Sequence, residues 1–298
     1  MKILVTGGTV FASRFTAEYF AARGNDVYVL NRGNRPQSEG VTLIKADRHA
    51  LGDTLKGRSF DAVIDVCAYN EADVRELLDG LGEFGCYVMV SSSAVYPETL
   101  PQPFKESQEV GANGIWGDYG MNKIAAERAL LERVPDAYVI RPPYLYGKMN
   151  NLYREAFVFE CAEKSLPFYV PKDGGLPLQF FDIEDMCRFI GILIDKRPER
   201  HVFNVGNPER VTVNGWVKRC YGVLDKRPVC VYVDGNIPQR SYFPFYDYDY
   251  KLDVSAMLEL MPEVKPLEEG LRQSYEWFSE NRELIARKPL LEFIGNSL

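Results

Sequence analysis

Lys2-Ile3-Leu4-Val5-Thr6-Gly7-Gly8-Thr9-Val10-Phe11-Ala12-Ser13 is the stretch on which the fold turns. Residues 3–6 are short, apolar and β-prone, as a strand buried on both faces must be. They run straight into Gly7 and Gly8, and a helix-period segment follows. Glycine lets the backbone turn sharply and lets a ligand come close to it. A helix that starts at such a turn offers free N–H groups and the positive end of its dipole to an anion such as a pyrophosphate. Gly7, Gly8, Thr9, Val10 and Phe11 are therefore candidate cofactor-binding residues. A glycine turn alone is a weak sign, but this one opens a strand–helix–strand unit at the start of the chain.

The alternation continues outward from this turn. Further strands are expected at residues 26–30, 42–46, 62–66, 87–91 and 137–141, with helices such as 14–23 and 72–81 ending at Gly24 and Gly82. Strand, helix, strand, repeated, predicts a Rossmann-type α/β fold, a doubly wound parallel sheet covered by helices on both faces. After Gly147 the rhythm changes. Helix is expected at 150–163, loop at 167–175, strand and helix across 179–194, strand at 201–205 and an amphipathic helix at 267–286. The expected division is a dinucleotide-binding unit of residues 1–148 plus about 178–206, and a smaller C-terminal α/β substrate domain of about 149–177 plus 207–298.

Composition narrows the function. The formal charge of −7 repels polyanions, and no Lys/Arg block offsets it, so nucleic-acid binding is disfavoured. Cys67, Cys86, Cys161, Cys187, Cys220 and Cys230 form no C-x-x-C pair and mostly sit among apolar neighbours. With only His49 and His201 besides, no metal site is expected, and the thiols are expected free in a reducing compartment. No leader-like segment precedes residue 3, and no apolar run approaches the roughly 20 residues of a membrane span. A cytoplasmic location without membrane attachment is expected.

Chemistry gathers in two segments. Tyr87-Val88-Met89-Val90-Ser91-Ser92-Ser93-Ala94-Val95-Tyr96 has the pattern of a strand leaving the sheet at its carboxyl end, the edge where ligands sit in open α/β sheets. Further on, Tyr119-Gly120-Met121-Asn122-Lys123 opens a helix expected over 124–132, and residues four apart share a helix face. Hydride transfer to or from a carbinol needs a base for the hydroxyl proton. A free tyrosine has a pKa of about 10, so ionising it near neutral pH costs roughly 4 kcal/mol. A neighbouring ammonium and a cationic cofactor can lower that cost. After the second strand, Asn31-Arg32-Gly33-Asn34-Arg35 holds no acid to take ribose hydroxyls, and a guanidinium suits a 2′-phosphate. NADP is thus slightly favoured over NAD.

Nearly end to end, the chain resembles the NAD-dependent epimerase/dehydratase family, the extended short-chain dehydrogenases that act on nucleotide sugars. Ser92-Ser93-Ala94-Val95-Tyr96-Pro97 resembles the family's active-site strand end, and Arg141-Pro142-Pro143-Tyr144-Leu145-Tyr146-Gly147 its Arg-Pro-x-x-Val-Tyr-Gly segment facing the nicotinamide. Residues 179–185, 202–206 and 252–277 are similar to its later motifs. The resemblance implies Ser92, Tyr119 and Lys123 as the catalytic group, with Ser93 as the alternative hydroxyl. It further implies Asp47, Arg48, Cys67, Ala68, Pro142 and Pro143 along the cofactor. Two departures stand out. Val10 and Ser13 replace glycines of the turn, and Leu178-Gln179-Phe180-Phe181-Asp182-Ile183-Glu184-Asp185 lacks the family's arginine, first aspartate and histidine. Val10 should crowd the approach of a pyrophosphate. The aromatic run 243–250 is equally suited to stacking a uracil or sugar ring and to packing one domain on the other. The implied function is NAD(P)-dependent oxidoreduction or epimerisation of a sugar carbinol, with a nucleotide sugar as small-molecule partner and a homodimer as one expected assembly. The alternatives are an RNA-binding protein on the same fold, like the similar chloroplast stem-loop-binding proteins, and a non-catalytic NADP-sensing regulator.

Overall fold

The computed structural model describes residues 1–234 and 237–298. The chain begins β1 (Lys2–Thr6), α1 (Phe11–Ala21), β2 (Asp26–Asn31), β3 (Val41–Lys45), β4 (Ser59–Asp65), α2 (Glu71–Gly80) and β5 (Glu83–Val90). It continues with α3 (Asp118–Arg133), β6 (Tyr138–Arg141), β7 (Tyr144–Tyr146), α4 (Glu155–Glu163), β8 (Phe168–Pro171) and β9 (Pro177–Leu178). β10 (Phe180–Asp182), α5 (Ile183–Lys196), β11 (Val202–Asn204), β12 (Val211–Thr212) and α6 (Val213–Gly222) follow. β13 (Cys230–Val233), α7 (Ser255–Leu260), α8 (Leu267–Glu280) and α9 (Leu290–Ser297) complete it.

Among the described residues, seven strands form one parallel sheet in the order β11-β6-β5-β4-β1-β2-β3. Side-chain alternation along β1 explains why helices must cover both faces. Ile3 and Val5 enter one core cluster with Ala17 and Phe20 of α1 and Phe189 and Ile190 of α5. Leu4 enters the other with Val74 and Leu77 of α2 and Ala126 and Leu130 of α3. A strand apolar on both faces has no solvent side, so each face needs its own helical layer. Strand order reverses between β1 and β4, so the loops leaving these two strands diverge and open a crevice at their carboxyl ends.

The later chain departs from its expected pattern in four places. Residues 168–171, expected as loop, form β8 and pair in parallel with β13. The flanking prolines suggested punctuation, but Pro171 ends the strand, where a missing N–H is tolerated, while Phe168 and Val170 bury completely. The helix expected at 150–163 starts only at Glu155, because the Asn150 side chain donates to the Glu155 carboxylate (2.7 Å) across the preceding turn. α8 ends at Glu280 rather than continuing to residue 286. α6 was not anticipated; it carries the fully buried Trp216. Of the thiols, four are buried and Cys67 and Cys230 are half-buried, in line with an apolar setting for most of them.

Candidate active site

Gly7 and Gly8 both take φ of +87° in the turn after β1. A Cβ on Gly7 would meet Cys67 Sγ at 2.7 Å and Ser13 Oγ at 2.8 Å, and one on Gly8 would meet Val29 Cγ1 at 2.5 Å. Val10 precedes α1 in extended backbone (φ −139°), where a branched side chain is at ease. The next residue, Phe11, takes a positive φ of +32°, which a side chain adopts only under strain. No side chain caps the N-terminus of α1, so its first amides remain as donors for an anion. The turn and the uncapped helix suit a dinucleotide pyrophosphate.

The residues after β2 and β3 divide by role. Asn31 shapes the turn itself: its Nδ2 donates to the Gly7 carbonyl (2.6 Å) and its Oδ1 accepts from Gly33 N (2.9 Å). Arg32 is exposed, whereas Arg35 lines a second cavity, of about 350 Å³, beside Thr9 and Val10. Asp47 is exposed and accepts from His49 N (3.0 Å). Arg48 turns inward to the fully buried Asp65 (2.8 Å) and to the Cys67 carbonyl (2.8 Å). Burial would raise the Asp65 pKa, but the Arg48 guanidinium and the Thr6 and Tyr87 hydroxyls hold it below the usual value. Asp65, held charged by Arg48, thus ties β4 to Thr6 of β1 and Tyr87 of β5.

One cavity of about 510 Å³ runs from Gly7 and Val10 past Cys67 to Ser92, Tyr119 and Lys123. Three serines end β5 and point three ways. Ser91 lines the cavity but spends its hydroxyl on the buried Glu127 carboxylate. Ser93 is buried, with Tyr250 as its partner. Ser92 faces the Tyr119 hydroxyl. Tyr119 and Lys123 lie one turn apart on α3, where Gly120 packs so closely on the Ala94 carbonyl that a Cβ would stand 2.3 Å from it. That contact presses the helix against the strand end and sets the distance between the two motifs.

Lys123 is 2 % exposed, and its ammonium donates to the Ala68 (2.6 Å) and Val90 (2.9 Å) carbonyls under the Tyr69 ring. Burial pulls its pKa down to about 8. Tyr119 is 42 % exposed, and burial of its phenol raises the pKa, opposed by Ser92 and by the charge of Arg154. The cation felt by the phenol is therefore Arg154, which sequence reasoning missed. Pro142 and Pro143 line the cavity as expected, but Arg141 does not face it. Its guanidinium is buried in a pair with Glu127 (2.5 Å), because a charge at the end of β6 needs a partner inside the fold.

Two further groups complete the cavity. Trp116, on the loop before α3, stands edge-on to Tyr246 (5.0 Å), and Tyr250 lines the wall beside it. The 243–250 run divides accordingly. Phe243 and Phe245 are fully buried against Trp216, while Tyr246 is exposed. The Gly-Ile-Trp-Gly segment at 114–117, a tryptophan beside the tyrosine motif, was a usable signal. Arg154 carried none.

The NAD dependent epimerase/dehydratase family matches residues 3–206. The chain is 25 % identical over 300 residues to the chloroplast stem-loop binding protein of 41 kDa b of Arabidopsis thaliana, covering 92 % of this chain and 78 % of that protein. It is 25 % identical over 198 residues to a dTDP-4-dehydrorhamnose reductase of Streptomyces griseus, covering 63 % and 64 %. Among solved structures, a dTDP-glucose 4,6-dehydratase of Bacillus anthracis in complex with NAD superposes with a TM-score of 0.76 at 19 % identity, covering 97 % of this chain and 99 % of that one. A UDP-glucose 4-epimerase of Thermotoga maritima with UDP-glucose gives 0.76 at 20 %, covering 95 % and 100 %. At such identities the structures speak for the fold, and the match over residues 3–206 speaks for descent: the chain belongs to the NAD dependent epimerase/dehydratase family.

Proposed function

We propose that the protein oxidises or reduces a carbinol on the sugar of a nucleotide sugar, with Tyr119 as the proton-transferring base and NADP at least as good a cofactor as NAD. One observation carries this reading: the glycine turn and the Ser92/Tyr119/Lys123 group open into the same cavity. A bound nicotinamide dinucleotide supplies the hydride chemistry. The chain's residues handle the proton and the geometry. Ser92 orients the substrate oxygen by hydrogen bonding, and the Tyr119 phenolate takes its proton. Arg154 lowers the cost of that phenolate, and the Lys123 ammonium, fixed on two carbonyls, adds positive charge one turn along the same helix. Gly7, Gly8, Val10 and Phe11 hold the pyrophosphate, and Cys67, Pro142 and Pro143 border the nicotinamide end, whereas Ala68 is fully buried outside the cavity lining and gives its carbonyl to Lys123.

The nucleotide-sugar part rests on positive charge around Arg154, which lines the cavity. Arg240 lies over the Tyr246 ring (4.6 Å), and its pKa and that of Lys288 are lowered by burial and then by mutual repulsion with each other or Arg154. Among the described residues neither cation is paired with a carboxylate. A diphosphate would relieve that repulsion. RNA binding, suggested by the name of the chloroplast relative, has against it the charge of −7 and the presence of both Tyr119 and Lys123.

Tyr119→Phe removes the proton acceptor and keeps the ring. Turnover of the right sugar should fall by about 10²–10⁴ with cofactor affinity unchanged. Near-full turnover with normal cofactor binding would remove Tyr119 from the chemistry.

A further inference from the structure

Arg154 acts on the Tyr119 phenol through its charge alone, which leaves most of its N–H donors unassigned. It lines the cavity with Ser92 and Tyr119. Its guanidinium rests on the Tyr144 ring at 5.1 Å and the Phe245 ring at 5.7 Å, and its NH1 donates a long bond to the Leu145 carbonyl (3.4 Å). Phe245 and Tyr144 belong to the core, so the cation is stacked on a rigid floor. Among the described residues no carboxylate pairs with it. Asn151, three residues earlier, faces the same cavity.

A half-buried guanidinium without a counter-charge costs free energy that solvent cannot fully return. Arg240 and Lys288, which are not among the residues lining this cavity, lie near enough to Arg154 for charge to act between them. Arg154 lies close enough to Tyr119 for its charge to act on the phenol, so an anion bound there would sit beside the reacting carbon. A planar fork on an aromatic floor matches the two oxygens of a carboxylate. Asn151 can add an amide donor. We propose that Arg154 recognises a carboxylate on the sugar ring that carries the reacting carbinol, so that the substrate class is the nucleotide-linked uronic acids and not the neutral hexoses. This rests on the nucleotide-sugar reading above.

The test is calorimetric titration of the cofactor-loaded protein with matched pairs of nucleotide-linked glucose and glucuronic acid, in uridine, thymidine and guanosine forms, and with the free nucleoside diphosphates. For the nucleotide that binds, the glucuronate should bind tighter than the glucose compound by about tenfold or more. Arg154→Gln should bring that ratio close to one, and Arg154→Lys, which keeps the charge but loses the fork, should leave a ratio between the two. Equal binding of the matched pair by the unaltered protein overturns the assignment, and that result needs no variant to fold. A drop for both sugars alike in Arg154→Gln would overturn it too, and place Arg154 on the diphosphate. If a free diphosphate binds but the acid gives no advantage, only the carboxylate assignment falls. If no nucleotide or nucleotide sugar binds, the nucleotide-sugar reading falls with it.

Discussion

Lys123 occupies a place where an ammonium is costly, and the cost can be measured. Its burial lowers the pKa to about 8 against an ordinary 10.5. At pH values between these two the folded protein has shed the proton while the unfolded chain keeps it. The unfolded state then binds more protons, so stability from this group rises with pH across that window. Relative to Lys123→Met, which has no proton to lose, the protein without cofactor should gain about 2 kcal/mol between pH 7 and about pH 9.5. Urea unfolding of both forms at the two pH values checks it, and parallel curves would mean that Lys123 is not desolvated. Cofactor choice is a residue-scale matter as well. Arg32 is exposed at the end of β2, while Arg35 lines the cavity beside Val10. In calorimetry, Arg32→Ala or Arg35→Ala should weaken NADP and leave NAD unchanged, since the guanidinium serves only the extra phosphate. Tighter NAD than NADP binding in the unaltered protein would overturn the preference.

At the scale of elements, legibility followed burial symmetry. β1, β2, β4, β5 and β6 are buried on both faces and bounded by turn residues, so a short apolar run sufficed to place each to within a few residues. The helices that cover them ended near Gly24 and Gly82 as glycine predicts. The Ser-Ser-Ser strand end and the Tyr119/Lys123 helix were brought together by the carboxyl-edge position of the first and by the family resemblance, and both line one cavity. The misses lie where a long-range partner decides. β8 exists because β13 pairs with it 62 residues later, counting Phe168 to Cys230, and no local pattern announces that. Arg48 and Arg141 were drawn toward the ligand by their neighbours in sequence, yet buried carboxylates claim them. The aromatic run divides for the same reason. Phe245→Ala opens a hole against Trp216 at 5.0 Å and Tyr144 at 4.7 Å and should cost about 3–5 kcal/mol. Tyr246→Ala, at an exposed position within the run, should cost less than about 1 kcal/mol. Equal losses in chemical unfolding would show that the segment packs as one piece.

Across the whole molecule, a buried polar chain ties α3, which carries Tyr119 and Lys123, to the far edge of the sheet. Glu127, one turn beyond Lys123 on α3, accepts from Ser91 at the end of β5 and pairs with Arg141 of β6. Arg141 donates to the Tyr96 hydroxyl (2.8 Å), which donates to Asn204 of β11 (2.8 Å). Asn204 in turn donates to the Phe104 carbonyl (2.9 Å), on the loop that leads to Trp116. Charges this deep contribute little net stability as a pair, but either one left alone is expensive. Arg141→Met should therefore cost about 3–5 kcal/mol by stranding the Glu127 carboxylate. The double variant Arg141→Met/Glu127→Leu removes both charges and should be less destabilised than the single one. A double-mutant cycle by urea unfolding decides the matter. If the double variant loses the sum of the two single losses, the residues act independently, and the alignment of α3 with the strand end must come from the Gly120–Ala94 contact alone.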